Sequence, residues 1–234
     1  MPDGSLAGRD IVVAGASGGL GSATVALLEA EGARVTAGYR TRATGGARGV
    51  QADLTVAEDR RKLLDAAPAL YGLVVLAGNP ARVKEGGELE AAMERSFQVN
   101  CEGPVLLARE AAGRMRDTRT PGAIILFATM QAVGVFPGST AYAGAKAALI
   151  HDARILAKEN RGANIRVNVV SPGVIEAGMA LASIGTGKHQ RLIDEATIPR
   201  YGRAADVARA VRFLLEPDNY ITGQVLQVDG GATL

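Results

Sequence analysis

An alternation constrains this chain more than any other feature: short unbroken apolar runs separated by longer segments of helical period. The runs are DIVVAG at 10–15, ARVTAGY at 33–39, GLVVLAG at 72–78, GAIILFA at 122–128, NIRVNVV at 164–170 and QVLQV at 224–228. A strand that is apolar at nearly every position is buried on both faces, as happens when helices cover both sides of a parallel sheet. Helical patterns near 20–31, 56–67, 98–116, 141–160 and 204–215 fill the gaps, each long enough to cross the sheet and return parallel. The alternation predicts an α/β fold, a doubly wound parallel sheet flanked by helices on both faces. Pro/Gly joints such as TPG, FPG and SPG sit between elements, with no charged or Ser-rich linker and no repeat. Residues 1–234 therefore read as a single domain. The segment 174–200 fits the alternation least, holding one short helical pattern bracketed by Gly and Pro; inserts after a strand's carboxyl end carry substrate loops.

Composition narrows the chemistry. A hydrophobic content of 47% is ample for a core, and a net charge of +2 gives no global field that would attract nucleic acid. One cysteine, Cys101, permits no internal disulfide, and with only two histidines, His151 and His189, a metal site is not expected. His151 and Cys101 are read as structural. The stretch MPDGSLAGRD lacks an apolar signal core and no run of about 18 apolar residues occurs, so neither secretion nor membrane association is expected and the cytosol is the default.

Two motifs carry chemistry on their own residues. After the first run, AGASGGLGSATV places glycines at 15, 18, 19 and 21 where strand turns into helix. Backbone can there approach a phosphate closely, and the helix N-terminus forms an anion site; a tight turn that binds nothing is the alternative. In STAYAGAKAALI, Tyr142 and Lys146 lie one helical turn apart, so both project from one face and the ammonium would favour the phenolate, as a general acid requires. The same spacing also occurs on solvated helix faces. Ser139 reads as a helix cap.

The end of the second strand, GYRTR, carries no acid that would bond the ribose hydroxyls of NAD, whereas Arg40 and Arg42 suit a 2′-phosphate and hence NADP(H). Solvated loop arginines are the other reading. Asp53 in QADLT follows a third strand, where it could accept from an adenine amino group or begin a helix. Arg109, Arg114, Arg116 and Arg119, with Arg161, could receive an acidic carrier protein or simply complement helix C-termini.

Taken in order, the glycine turn, ADL at 52–54, LAG at 76–78, VN at 99–100, Tyr142-x-x-x-Lys146, NVVSPG at 168–173 and YITGQVLQVDGG at 220–231 resemble a short-chain dehydrogenase/reductase over nearly the whole chain. The closing segment is most similar to the 3-oxoacyl-carrier-protein reductases. The resemblance implies a Rossmann-type sheet and a homo-oligomer, a tetramer or dimer. It also implies a tetrad in which Tyr142 protonates the substrate oxygen, Lys146 lowers the phenol and holds the nicotinamide ribose, and Asn100 sustains a water-linked proton route. Thr129 stands where the family has serine, thirteen residues before the tyrosine. Cofactor contacts are implied at Gly15, Ser17, Gly19, Leu20, Gly21, Arg40, Asp53, Leu54, Ala77, Gly78, Pro172, Gly173 and Ile175. The expected activity is NADPH-dependent reduction of a ketone, a β-ketoacyl thioester foremost, with another small ketone or secondary alcohol as the alternative. Departures at Val75-Leu76, where the family has two Asn, and at Ala177, where it has Thr, also admit a cofactor-binding sensor that has lost catalysis. Segment 174–200 would be the substrate loop.

Overall fold

Each apolar run becomes a strand because its alternate residues bury on opposite faces of one sheet. Val12 and Ala14 of β1 (Asp10–Ala14) join one core cluster, while Ile11 and Val13 join the other. The same division runs through β4 (Leu70–Val75), where Leu73 and Val75 oppose Val74, and through β5 (Gly122–Phe127), where Ile124 and Leu126 oppose Ile125 and Phe127. The computed structural model describes residues 5–43, 48–81 and 88–234. Those residues form a seven-stranded sheet of order β3-β2-β1-β4-β5-β6-β7, parallel throughout. The remaining strands are β2 (Arg34–Tyr39), β3 (Arg48–Gln51), β6 (Ile165–Pro172) and β7 (Val225–Val228).

Helices α2 (Ala57–Asp65), α4 (Gly103–Asp117) and α5 (Thr140–Glu159) bury Leu63, Leu107, Met115 and Leu149 against one face. Helices α1 (Gly19–Ala30) and α8 (Ala204–Leu215) bury Leu28, Val207 and Val211 against the other. The predicted doubly wound α/β architecture is therefore the one observed.

The elements depart from expectation in four places. β3 is a short edge strand, mostly exposed, so it lacks the apolar run that marks the others. The chain leaves β4 at Val75, and LAG lies beyond it because Leu76 and Ala77 both turn their amides onto Ala14 O, at 2.8 and 3.1 Å. The helix expected from 98 begins much earlier: α3 (Leu89–Phe97) runs into a π-helical turn over Gln98–Glu102, which leads into α4. Helix α3 escapes a core-facing pattern because its large apolar residues Leu89, Met93 and Phe97 are 47, 46 and 48% exposed, while only Ala92 and Ser96 are buried. Segment 174–200 holds a 3₁₀ turn at Gly178–Ala180 and two short helices, α6 (Leu181–Ile184) and α7 (Gln190–Asp194), where one helical pattern was expected.

Candidate active site

The sheet order reverses at β1, whose neighbours are β2 and β4. A crevice opens at the carboxyl ends of strands at such a point, and here a cleft of about 1210 Å³ lies there. Gly15 leaves β1 at φ +86°, and a Cβ on it would lie 2.6 Å from Ala77 N, so only glycine permits the turn to lie on the chain leaving β4. Gly18 then caps α1 with backbone alone; among the described residues no side chain caps the first amides, and no acidic residue occupies the first turn. The positive end of the helix dipole is left to an external anion. The Gly15, Gly19 and Gly21 cradle thus fits a dinucleotide pyrophosphate, and Ser17 and Leu20 line the cleft beside it.

On the β2 side, Arg40 lines the cleft and Gln51 Nε2 donates to Arg40 O at 2.9 Å, fixing the backbone there. Arg42 Nη2 donates to Ser17 O at 3.1 Å, which brings a second guanidinium over the glycine turn. Asp53 is held below its usual range, first by the Thr55 amide at 3.0 Å and then by the Thr55 hydroxyl and the Arg40 charge, against the opposing effect of burial. One Asp53 oxygen therefore closes a local turn; the helix-start alternative is not its role, because Val56 holds that position of α2. Leu54, Ala77 and Gly78 continue the wall, and Pro172, Gly173 and Ile175 close it from β6.

Thr129, Tyr142 and Lys146 line the floor. The Thr129 hydroxyl accepts from Gln131 N at 3.3 Å, capping a short 3₁₀ turn from an extended backbone. Lys146 is 2% exposed, and its ammonium donates to Phe127 O at 2.7 Å. Burial lowers Lys146 to about 8 and pushes Tyr142 up to about 12. This corrects one expectation: the ammonium does not bring the phenol down here, because burial alone acts on the phenol while the lysine is turned to a β5 carbonyl. The phenol stays protonated across neutral pH.

Asn100 does not line the cleft. It is fully buried beneath it, bound on both edges: Asn79 N donates to Asn100 Oδ1 at 2.8 Å, and Asn100 Nδ2 donates to Asn79 O at 2.9 Å and Ser96 Oγ at 3.0 Å. The extra residue of the π turn is what carries this side chain inward. Ser96 in turn donates to Ala141 O at 2.7 Å, the carbonyl just before Tyr142. Sequence reasoning missed Ser96 because no helical pattern was recognised at 89–97.

Other expectations are revised. Ser139 occupies the N-cap position of α5, but its hydroxyl donates back to Phe136 O at 2.6 Å and bonds no helix amide. Arg109, Arg114 and Arg116 are engaged with Glu159, Asp65 and Asn160, at 2.8, 2.6 and 2.5 Å. Cys101, by contrast, fits the structural role expected of it: it is buried, 3.5 Å from Asp152, and burial pushes its thiol to about 12. Ala177 packs on the glycine turn: a Cβ on Gly19 would lie 2.9 Å from Ala177 Cβ and 2.7 Å from Gly178 N.

Comparison with known proteins agrees with this geometry. Residues 15–233 match the family described as enoyl-(acyl carrier protein) reductase. The L-xylulose reductase of Caenorhabditis elegans is 32% identical over 238 residues, 95% of each chain. The acetoacetyl-CoA reductase of Synechocystis is 31% identical over 235 residues, 96% of each. A solved structure titled short chain dehydrogenase/reductase family protein superposes with a TM-score of 0.87 at 32% identity, covering 97% of this chain and 98% of that one.

Proposed function

Because the chain belongs to the short-chain dehydrogenase/reductase family, a group of NAD(P)(H)-dependent oxidoreductases, we propose that it is an NADPH-dependent ketoreductase, taking a β-ketoacyl thioester to the 3-hydroxyacyl product. The observation that carries this reading is Tyr142 and Lys146, one turn apart on α5, both lining the cleft that the glycine turn opens. When bound, the nicotinamide supplies the hydride. Tyr142, kept protonated by burial, gives its proton to the ketone oxygen as the alcohol forms. The Thr129 hydroxyl donates to the same oxygen and holds it beside the phenol. Lys146 holds the nicotinamide ribose, and Asn100 braces the Asn79 loop that forms the adjoining wall. Arg40 and Arg42 pair with a 2′-phosphate, Arg42 serving where Gly18 offers no cation. The alternative ketone, a small sugar ketose, is favoured by the L-xylulose reductase relative.

Cofactor oxidation by a panel of ketones tests the reading. NADPH is expected to exceed NADH in kcat/KM, and Arg40→Ala should raise the KM for NADPH about tenfold with NADH kinetics little changed. Equal or better use of NADH would overturn the cofactor assignment; cofactor binding without oxidation by any ketone would favour the sensor.

The same reading makes the enzyme a single-domain cytoplasmic homo-oligomer, a tetramer or dimer. Support for association comes from Met93 and Phe97 of α3, a helix that packs on α5 with these two apolar side chains half exposed among the described residues. A mass in solution equal to one chain would refute it. No helix among the described residues is long and apolar enough to cross a membrane.

A further inference from the structure

The two ends of the cleft differ in charge. At the β2 end Arg40 is answered by Asp53, the only carboxylate among the described residues that line the cleft. Beyond Tyr142, one wall carries Gln131, Phe136 and Pro137, and the facing wall is the segment after β6, with Met179, Ser183 and Lys188. Lys188 makes no hydrogen bond or ion pair with any described residue, and the acids nearest in sequence are directed elsewhere. Asp194 accepts from Gln190 at 2.7 Å and Glu195 from Arg191 at 2.7 Å, and neither acid lines the cleft.

The turn that presents Lys188 is bonded to itself. Thr186 Oγ1 donates to Ser183 O at 2.7 Å, Gly187 N to Ile184 O at 3.2 Å and Gln190 N to Gly187 O at 3.0 Å. Ser183 Oγ lies 2.9 Å from Ala180 O and 2.9 Å from His189 Nε2. The hydroxyl has one proton, which goes to the carbonyl, so His189 Nε2 is the donor in the second bond. That bond ties the residue after Lys188 back to α6.

From this we propose that Lys188 reads an oxyanion on the substrate, a carboxylate or a phosphate, and that the natural ketones are acidic. The inference deepens the ketoreductase reading and rests on it. Among the described residues Lys188 is a cation without a partner, set in a concave wall with no carboxylate beside it; such a cation raises the local concentration of anionic ligands and forms a charge-assisted bond on binding.

Matched pairs of ketones separate the charge from the reaction: acetoacetate against methyl acetoacetate, and acetoacetyl-CoA against the acetoacetyl N-acetylcysteamine thioester. In at least one pair the charged member should be preferred in kcat/KM by about tenfold or more. Preference within the first pair identifies a carboxylate and within the second a phosphate. Lys188→Gln should collapse that ratio and Lys188→Arg should keep it. Equal use of charged and neutral members, or a ratio that Lys188→Gln leaves unaltered, overturns the proposal and leaves the ketoreductase reading standing. Failure of every ketone to oxidise the cofactor overturns that reading, and the proposal with it.

Discussion

The floor of the cleft and the segment that faces it are built by opposite means. In and beneath the floor, Lys146, Ser96 and Asn100 are each 2% exposed or less, and their polar atoms are joined to one another or to backbone carbonyls of β5, α5 and the loop after β4. The facing segment, 177–195, buries one large side chain, Ile193, and the side-chain hydrogen bonds that join its described residues to one another span no more than six positions. Buried long-range bonds are expensive to break, while exposed local ones exchange readily with water. Proton transfer, which fails when misplaced by an ångström, is assigned to the first region; substrate choice is assigned to the second, which can change without loss of the core.

The largest expected effect falls on the floor. Tyr142→Phe removes the proton donor while keeping the ring, and kcat should drop by about 10²–10⁴-fold with little change in NADPH affinity. Turnover near the wild-type rate would move the donor elsewhere in the cleft.

Lys146 sharpens the contrast by setting function against stability. Its value falls from 10.5 to about 8, so between those pH values the unfolded chain holds a proton that the folded chain has released. This group therefore adds stability as pH rises from about 8 to 10.5 and costs stability below about 8. Lys146→Met should abolish turnover yet raise the melting temperature at pH 7. In the wild type, reductive kcat/KM should decline as pH rises through about 8, where the ammonium discharges.

Thr129→Val keeps shape and loses the hydroxyl, and kcat/KM should fall by about 1.5–3 kcal/mol of transition-state binding; Thr129→Ser should retain activity. Full activity in the valine variant would show that another donor polarises the ketone.

The smallest effects compare the two serines directly. Ser96→Ala removes the bond to Ala141 O and strands one Asn100 proton in the core, a loss of about 1–3 kcal/mol, which should lower the melting temperature by several degrees. Ser183→Ala, on the half-exposed turn, should leave it nearly unchanged. Equal shifts would mean that the facing segment is as integral to the fold as the floor.

How much of this was legible follows from the range of the interactions. The strands of the core, the glycine turn and the Tyr142–Lys146 pair are written in neighbours one to four residues apart, so periodicity and steric rules suffice to find them. Helix α3 is not legible because it buries no large apolar face, and the edge strand β3, placed only by its position before Asp53, shows no apolar run for the same reason.

Local pattern alone therefore specifies the alternating doubly wound sheet, the glycine turn where its order reverses, and the chemical groups on offer at its carboxyl edge. How those groups are held depends on the packing of distant segments. The π turn carries Asn100 beneath the floor, Ser96 joins it to a carbonyl 45 positions away, and Lys146 turns to Phe127 O, 19 positions back. Burial then raises the phenol instead of the ammonium lowering it. The reason is that desolvation and long-range hydrogen bonds depend on which distant segments pack together, and no local spacing encodes that.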